Sequence, residues 1–177
     1  MGLLYYTECV MLYNYQISTV NLGWCGYTVT KEELLKAHRQ YINWLDSLVT
    51  LDELKATASY AKGKWSPHEI VMHLAKWDQF TVEQRLPSMK EGEKLERFPD
   101  FETFNAKAAA LAHEQTFKET LSYAKKQRQY IIEKLQQTDE IEWDKVFYIG
   151  ESEISIRSYF NDFLEHDKHH REQIATI

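Results

Sequence analysis

The sequence predicts an all-α domain built as a four-helix bundle. Apolar residues recur at a spacing of about 3.6 through four long segments of the chain. Three of these segments begin at a side chain suited to cap a helix. The chain has only three Pro and six Gly, a composition that favours long helices over many tight turns. With 177 residues, the chain can form one domain with a substantial hydrophobic core.

The first predicted helix follows an N-terminal extension. Residues 1–29 are rich in Tyr, Leu and Val and carry one charge, Glu8. We interpret them as an extension to a domain of residues 30–177, which leaves open a strand pair, a surface loop or the product of an upstream start codon. Thr30-Lys31-Glu32-Glu33 forms a capping box. A helix is therefore predicted over about residues 31–49, followed by a connection to Gly63.

The second predicted helix has the clearest start signal. Ser66 is suited to the N-cap position, Pro67 to the first helical position, and Glu69 lies three residues after the cap. The pattern predicts that this helix ends near Leu86. One stripe of its residues should face the core: Ile70, His73, Leu74, Trp77 and Phe80.

A third helix is predicted as one long element from about Asp100 to Gln137, because apolar residues recur along the whole segment. The charged connection before it, Ser88–Pro99, could lie over a functional site. After it, Glu142–Ile154 should be extended or looped, with a turn at Gly150. Four helices joined by these connections indicate a bundle.

The fourth predicted helix carries the most informative pattern of the chain. Ser155 is suited to cap it, and it should run from Arg157 to about Ala175. His166 and His170 lie four residues apart, so their rings leave one helical face with Cβ atoms about 5–6 Å apart. Both can therefore reach one metal ion. Three apolar residues share that face: Tyr159, Phe163 and Ile174.

His73 is predicted to face inward from the second helix, so it can join His166 and His170 if the two helices are neighbours. Three imidazoles with an open position match a catalytic zinc-type site, and nickel, cobalt, iron or copper would also accept them. Glu69, one turn before His73, could orient its ring. His169 is also spaced to pair with His166, but His170 aligns better with the apolar face.

The remaining polar residues have ordinary explanations. A lone inward histidine is more often a hydrogen-bonded core residue than a ligand, and we interpret His38 as structural or pocket-lining. His68, in the first turn of its helix, should be solvated. His113 lies within the third helix without a metal-ligand spacing. Glu165 and Asp167 lie off the histidine face and should contact solvent.

The composition of the chain limits which binding partners and which cellular location are expected. The formal net charge is −6 without a basic run, which argues against a nucleic-acid partner. No apolar run is long enough to span a bilayer, so no membrane partner is expected. Two cysteines in a chain of this size do not form a disulfide scaffold, and a reducing cytoplasm is the expected location. Exposed aromatic residues in the extension favour a homodimer.

Two motifs resemble those of a known family. Trp65–Asp78, which begins Trp-Ser-Pro-His-Glu, resembles the second-helix signature of the DinB-like (YfiT-like) superfamily. His166–Ile174 resembles its last-helix signature, and Phe104-Asn105 fits the opening of its third helix. The resemblance covers residues 30–177. It implies a four-helix bundle with a divalent metal, zinc or nickel, held here by His73, His166 and His170, and it implies that His169 is not a ligand.

The resemblance also implies a class of function. The family includes S-transferases and isomerases that use bacillithiol or mycothiol, metal-dependent hydrolases, and members without a known activity. We therefore expect a metal-dependent enzyme of the thiol S-transferase or hydrolase type that acts on a small molecule, with a low-molecular-weight thiol as a candidate cofactor.

Two other functions stay open at this point. The protein could be a non-enzymatic bundle with a structural metal. It could instead be a metal-free protein that binds or sequesters a small molecule, as in a related group associated with resistance to genotoxic products. Four aromatic residues would then line the pocket: Trp65, Trp77, Tyr159 and Phe163.

Overall fold

The computed structural model describes residues 29–59 and 61–177, so the extension predicted for residues 1–29 lies outside the described residues apart from Val29. Six helices form most of the described chain: α1 (Lys31–Ser47), α2 (Glu53–Thr57), α3 (Pro67–Phe80), α4 (Phe101–Ala112), α5 (Phe117–Gln137) and α6 (Ile156–Ala175). The long helices α1, α3, α5 and α6 pack together as a bundle, and α4 lies against α3.

Capping side chains fix where the long helices begin. Thr30 and Ser66 each accept a hydrogen bond from the backbone N–H three residues on, and the glutamate there accepts one in return from the cap backbone. Ser155 caps α6 in the same way, with Ser158 as its reciprocal partner. The three predicted helix starts are confirmed, because each is encoded by contacts within one turn.

The prediction of one long third helix is wrong. α4 ends at Ala112, where the N–H groups of His113 and Glu114 bond to carbonyls three residues back. α5 then begins at Phe117 with its own capping box, in which Thr116 pairs with Glu119. A Thr-x-x-Glu capping signal was present in the sequence, but continuous apolar periodicity concealed the break.

The chain also leaves α-helical geometry at the end of α3. Thr81–Arg85 form a π-helical turn, and the N–H of Leu86 bonds to the carbonyl of Thr81. A 3₁₀ turn over Leu86–Ser88 follows. Such π-turns are rare and often occur at functional sites, and this one places Arg85 in the interior.

A small sheet closes one side of the molecule. β1 (Lys94–Leu95) pairs in parallel with β2 (Phe147–Ile149), which pairs antiparallel with β3 (Ser152–Ile154). The predicted turn between β2 and β3 is confirmed, with Gly150 at a φ of +62°, a region that favours glycine. β1 therefore fastens the charged connection before α4 to the sheet.

The hydrophobic core has two parts. The first part joins α3, α5 and α6 to the sheet and contains Trp77, Ile131, Phe147 and Phe160. The second part surrounds Tyr41 between α1, α3 and α5. In the described part of the chain, no helix is long and apolar enough to cross a membrane. The faces of α3 and α6 that turn toward each other carry the predicted histidines.

Candidate metal centre

Three imidazoles converge between α3 and α6. His73 comes from α3, and His166 and His170 come from successive turns of α6. The Nε2 atom of His166 lies 3.3 Å from Nε2 of His73 and 3.1 Å from Nε2 of His170. All three side chains are buried. The structure thus brings together the three residues whose spacing predicted a common site.

These separations fit a single metal ion. Two nitrogen ligands bound tetrahedrally at about 2.0–2.1 Å lie about 3.3 Å apart. Among the described residues, this is the one group of three His, Cys, Asp or Glu side chains whose ligand atoms lie within 4.8 Å of one another. The donor set, three imidazole nitrogens, suits zinc, nickel, cobalt, iron or copper.

Gln173 fixes the orientation of His170. The Nδ1–H of His170 donates to Oε1 of Gln173 at 2.7 Å, so the lone pair lies on Nε2, the atom that faces the other two histidines. The amide nitrogen of Gln173 donates to Nε2 of His169 at 3.2 Å. His169 is half-buried and lies outside the three-histidine group. Hydrogen-bond partners outside the ligand set, such as Gln173 here, set the tautomer of metal-binding histidines.

Asn105, and not Glu69, is the polar residue beside His73. The Oδ1 atom of Asn105 accepts from Nε1 of Trp77 at 3.0 Å, and hydrogen bonding by the same side chain partly offsets the lowered pKa of His73. The suggestion that Glu69 orients His73 is wrong. The Glu69 carboxylate accepts from Ser66 at 2.8 Å and lies 3.2 Å from Nε2 of His113.

Burial keeps the three imidazoles neutral. Desolvation lowers the pKa of His166 to about 4 and the pKa of His170 to about 3. It also holds the pKa of His73 well below its ordinary value, assisted by the nearby His170 and His166. At neutral pH the rings are therefore unprotonated, which is the state that a metal cation requires.

A buried ion cluster adjoins the histidines, and the sequence analysis missed it. Asp167 was expected to contact solvent, but it is buried and accepts two bonds from Arg128, at 2.5 and 2.9 Å. Asp78 accepts two more from the same guanidinium, at 2.8 and 2.9 Å. The available signal was the position of Arg128, which falls on the apolar face of α5 between Ala124 and Ile131.

Of the histidines outside this group, His38 and His68 are buried and His113 is exposed. His38 is buried, and its Nδ1 lies 3.3 Å from Nη1 of Arg128, which agrees with a structural role. The prediction that His68 is solvated is wrong. Its ring is buried against Phe117, and its Nε2 lies 2.8 Å from the hydroxyl of Thr120. His113 is exposed at the end of α4.

The aromatic residues suggested as a pocket lining surround the histidines as packed rings. The ring of Trp65 lies 5.0 Å from that of His73, and the ring of Trp77 lies 6.5 Å from it. Tyr159 stacks with Phe163 at 6.1 Å, and Phe163 lies 6.5 Å from the ring of His166. Trp77, Tyr159 and Phe163 are buried, so they form the wall of the site.

Comparison with known proteins identifies the family. A model of the DinB superfamily matches residues 33–174. The chain belongs to the DinB superfamily. The matched range begins at the first turn of α1 and ends one residue before the end of α6. No curated protein sequence matches this DinB-superfamily chain.

Solved structures show the same fold at low sequence identity. YfiT from Bacillus subtilis, described as a probable metal-dependent hydrolase with an unusual four-helix bundle topology, is 15% identical, with a TM-score of 0.71 over 87% of this chain and 89% of its own. An uncharacterized protein from Clostridium difficile 630 is 11% identical, with a TM-score of 0.67 over 86% of this chain and 96% of its own. The predicted fold class is confirmed.

A further structural neighbour corrects the exclusion of nucleic acid. The colibactin self-resistance protein ClbS, crystallised in complex with double-stranded DNA, is 16% identical, with a TM-score of 0.62 over 85% of this chain and 96% of its own. The fold is therefore found in a DNA complex. The exclusion was wrong because it rested on the net charge and on the absence of a basic run in the sequence, and neither describes the charge of any one face of the folded chain.

Proposed function

We propose that this DinB-superfamily protein is a metal-dependent enzyme of the thiol S-transferase or hydrolase type that acts on a small molecule. His73, His166 and His170 would hold the divalent cation and leave a coordination position for water, thiol or substrate. The observation that carries the proposal is the convergence of three neutral imidazoles with Nε2 separations of 3.1 and 3.3 Å. The structural likeness to YfiT, a probable metal-dependent hydrolase, supports it.

The bound cation would lower the pKa of a coordinated water or thiol, which supplies a nucleophile near neutral pH. The chain's own residues prepare the site. Burial keeps the imidazoles neutral, Gln173 directs the lone pair of His170 inward, and Asn105 lies beside His73. Buried Trp77 and Phe163 limit the access of bulk water.

Zinc or nickel is the proposed metal, because both bind imidazole and thiolate. A low-molecular-weight thiol is the proposed cosubstrate, and a reducing cytoplasm, the proposed location, would maintain it. The homodimer stays a prediction, which analytical ultracentrifugation can test. It rests on the aromatic residues of the extension, residues 1–29, of which the structure describes Val29 alone.

The test of the metal centre is the metal content of purified protein, measured by elemental mass spectrometry. The wild type should contain close to one zinc or nickel per chain, and His166→Ala should lose it. His169→Ala is the matched control, because it removes an imidazole from the same turn of α6 without removing a proposed ligand. Equal metal content in wild type and a folded His166→Ala, or no uptake by the wild type after dialysis against zinc and nickel, would refute the site.

The test of the chemistry is turnover of a thiol with an electrophile, and of ester and amide substrates, by metal-loaded protein. His73→Ala should reduce turnover to the background rate, whereas His169→Ala should retain it. If His73→Ala keeps full turnover, the proposed mechanism is wrong even if the metal is present.

A structural metal is the second candidate, and the burial of all three histidines favours it. A metal bound by the folded state alone raises the melting temperature, and chelation should then lower it strongly. Turnover that disappears on chelation while the melting temperature changes little would support the enzyme instead.

DNA binding is a third candidate, favoured by the complex of ClbS with duplex DNA. Fluorescence anisotropy of a labelled duplex tests it. Binding through phosphates should weaken steeply as salt is raised. No change in anisotropy at micromolar protein and low salt would exclude it.

A further inference from the structure

Arg85 is a buried cation with an unused pair of donors. It ends the π-helical turn after α3 and is only 2% exposed. Its Nη1 donates to the backbone carbonyl of Glu96 at 2.7 Å. In the described part of the chain, neither its Nε nor its Nη2 has a hydrogen-bond partner. Nor does any described carboxylate form an ion pair with it.

These two unpaired atoms form one edge of the guanidinium. The Nε–H and Nη2–H bonds point the same way, and this edge binds the two oxygens of a carboxylate side by side. Two other arginines of this chain bind carboxylates through this edge. Arg128 holds Asp78 through the same edge at 2.8 and 2.9 Å, and Arg157 holds Asp144 at 2.7 and 2.9 Å.

The surroundings of Arg85 suit a ligand with an apolar body. The guanidinium carbon lies 4.8 Å from the ring centre of Phe80 and 4.6 Å from that of Phe98. Both rings are only half-buried, so the buried charge lies one ring away from solvent. Two side chains act against the effect of burial on the pKa of Arg85: Tyr159, whose hydroxyl is hydrogen-bonded to Thr81 at 3.0 Å, and Glu96.

A buried charge without a counterion is expensive. Desolvation lowers the pKa of Arg85, yet a guanidinium remains charged in proteins. Burying an uncompensated ion costs several kcal/mol, and buried donors are nearly always paired. A buried donor that stays unpaired inside a well-packed fold is expected at a functional site.

Arg85 follows His73 by twelve residues along α3 and its π-turn, a rise of about 18 Å at helical geometry. On α3 and its π-turn, His73, Trp77, Thr81 and Arg85 follow one another at intervals of four residues, and all four are buried. The ring of Trp77 lies 6.5 Å from that of His73 and 5.5 Å from that of Phe80. A series of ring contacts, through Phe80 and Trp77, therefore runs from Arg85 to His73.

We propose that the Nε/Nη2 edge of Arg85 is an oxyanion subsite, which binds the carboxylate or phosphate group of a small organic molecule whose apolar part lies against Phe80 and Phe98. Its binding of an anion does not depend on the metal. That the bound molecule is the substrate of the metal centre rests on the proposed function.

Calorimetric titration of the full chain with three matched probes tests the subsite. The probes are 3-phenylpropionate, its neutral amide, and phenyl phosphate. The wild type should bind the carboxylate at least about tenfold more tightly than the amide, the ratio expected for a charge-assisted hydrogen-bonded pair. Tighter binding of phenyl phosphate than of the carboxylate would identify a phosphate ester as the preferred class.

Three variants assign the effect to Arg85. Arg85→Met should abolish the preference for the anion, and Arg85→Lys, which keeps the charge but loses the paired edge, should weaken carboxylate binding about tenfold. Arg157→Lys is the control, because it makes the same change at an arginine whose edge is filled by Asp144. It should bind all probes as the wild type does.

The failure of this proposal can be separated from failure of the metal site. His73→Ala should lose metal and still bind the carboxylate, and Arg85→Met should keep metal and lose the carboxylate. Equal binding of acid and amide by the wild type would overturn the subsite, as would unchanged carboxylate binding by Arg85→Met.

Discussion

Arg128 and Arg85 are both buried arginines, but they differ in how many hydrogen-bond partners surround the guanidinium. Arg128 is 0% exposed and gives two hydrogen bonds each to Asp78 and Asp167. Its guanidinium also lies 3.7 Å from the ring centre of Tyr41. Arg85 is 2% exposed and gives one hydrogen bond, to a backbone carbonyl. Burial alone therefore does not distinguish a structural charge from a functional one.

The partners of Arg128 explain its role. Asp78 lies on α3, Asp167 on α6 and His38 on α1, while Arg128 itself lies on α5. One side chain thus joins the four long helices of the bundle. Burial alone would lower the pKa of Arg128, but the negative charges of Asp167 and Asp78, and the hydrogen bonding that Arg128 donates to Asp167, hold this pKa well above its ordinary value. A charge satisfied in this way belongs to the fold, whereas the unpaired edge of Arg85 is available to a ligand.

Loss of Arg128 should have the largest effect. Arg128→Met leaves Asp78 and Asp167 buried without a counterion, and breaking a buried ion pair in this way costs about 3–5 kcal/mol. Urea denaturation followed by circular dichroism should show that loss in the free energy of unfolding. Adding Asp78→Asn and Asp167→Asn to Arg128→Met should recover part of it, since the stranded charges are then gone.

The control for Arg128 is Arg157, which pairs with the mostly exposed Asp144. Exposed pairs contribute about 0–1 kcal/mol, so Arg157→Met should be close to wild type in the same denaturation experiment. If Arg128→Met were as mild as Arg157→Met, the cluster would not be the cross-link that its contacts indicate.

Lowering the pH should reduce the free energy of unfolding through His38, which contacts Arg128, by less than the loss of Arg128 does. Burial, and then the positive charge of Arg128, hold the pKa of His38 well below its ordinary value. The unfolded chain takes up a proton on this ring below about pH 6.5 and the folded chain does not, so the stability is complete above that pH and declines below it. At pH 5.5 this histidine alone should cost about 1 kcal/mol.

The measurement is the free energy of unfolding at pH 7.5 and pH 5.5, in chelator, for wild type and His38→Gln. The wild type should lose more stability than the variant between the two values, by about 1 kcal/mol. Equal losses would mean that His38 is already protonated in the folded state. His68, whose pKa burial also lowers, adds to the acid sensitivity of both proteins equally.

Local patterns in the sequence were sufficient for much of this structure. The starts of α1, α3 and α6 depend on side chains within one turn, and His166 and His170 share a face because helical geometry places them there. The position of His73 beside them required only that α3 and α6 be neighbours. The sequence also favours His170 over His169 for the inward position, because His170 aligns with Phe163 and Ile174, and His170 is buried in the structure.

Besides the break between α4 and α5 and the exclusion of nucleic acid, the errors concern buried polar residues. Asp167 was assigned to solvent because it lies off the histidine face. A carboxylate is seldom buried, and only the pairing of Asp167 with Arg128, 39 residues away in sequence, makes its burial tolerable. The burial of His68 likewise depends on Thr120 and Phe117, on the helix that was not separated from α4. Arg85 is buried because the helix changes to a π-turn, and no residue pattern announces that change. Tertiary pairing and backbone irregularity, unlike caps and periodicity, cannot be inferred from neighbours in sequence.

The smallest effect is expected at Arg85. Arg85→Met removes one hydrogen bond to Glu96 and the contacts of the guanidinium with Phe80 and Phe98, but it also removes an unpaired buried charge. Replacing buried ions by apolar residues of similar size is often neutral or stabilising, so the free energy of unfolding should stay within about 1 kcal/mol of wild type. Urea denaturation in parallel with Arg128→Met provides the comparison. A loss as large as that of Arg128→Met would show that Arg85 is also part of the structural framework, and that its unpaired edge is not kept for a ligand.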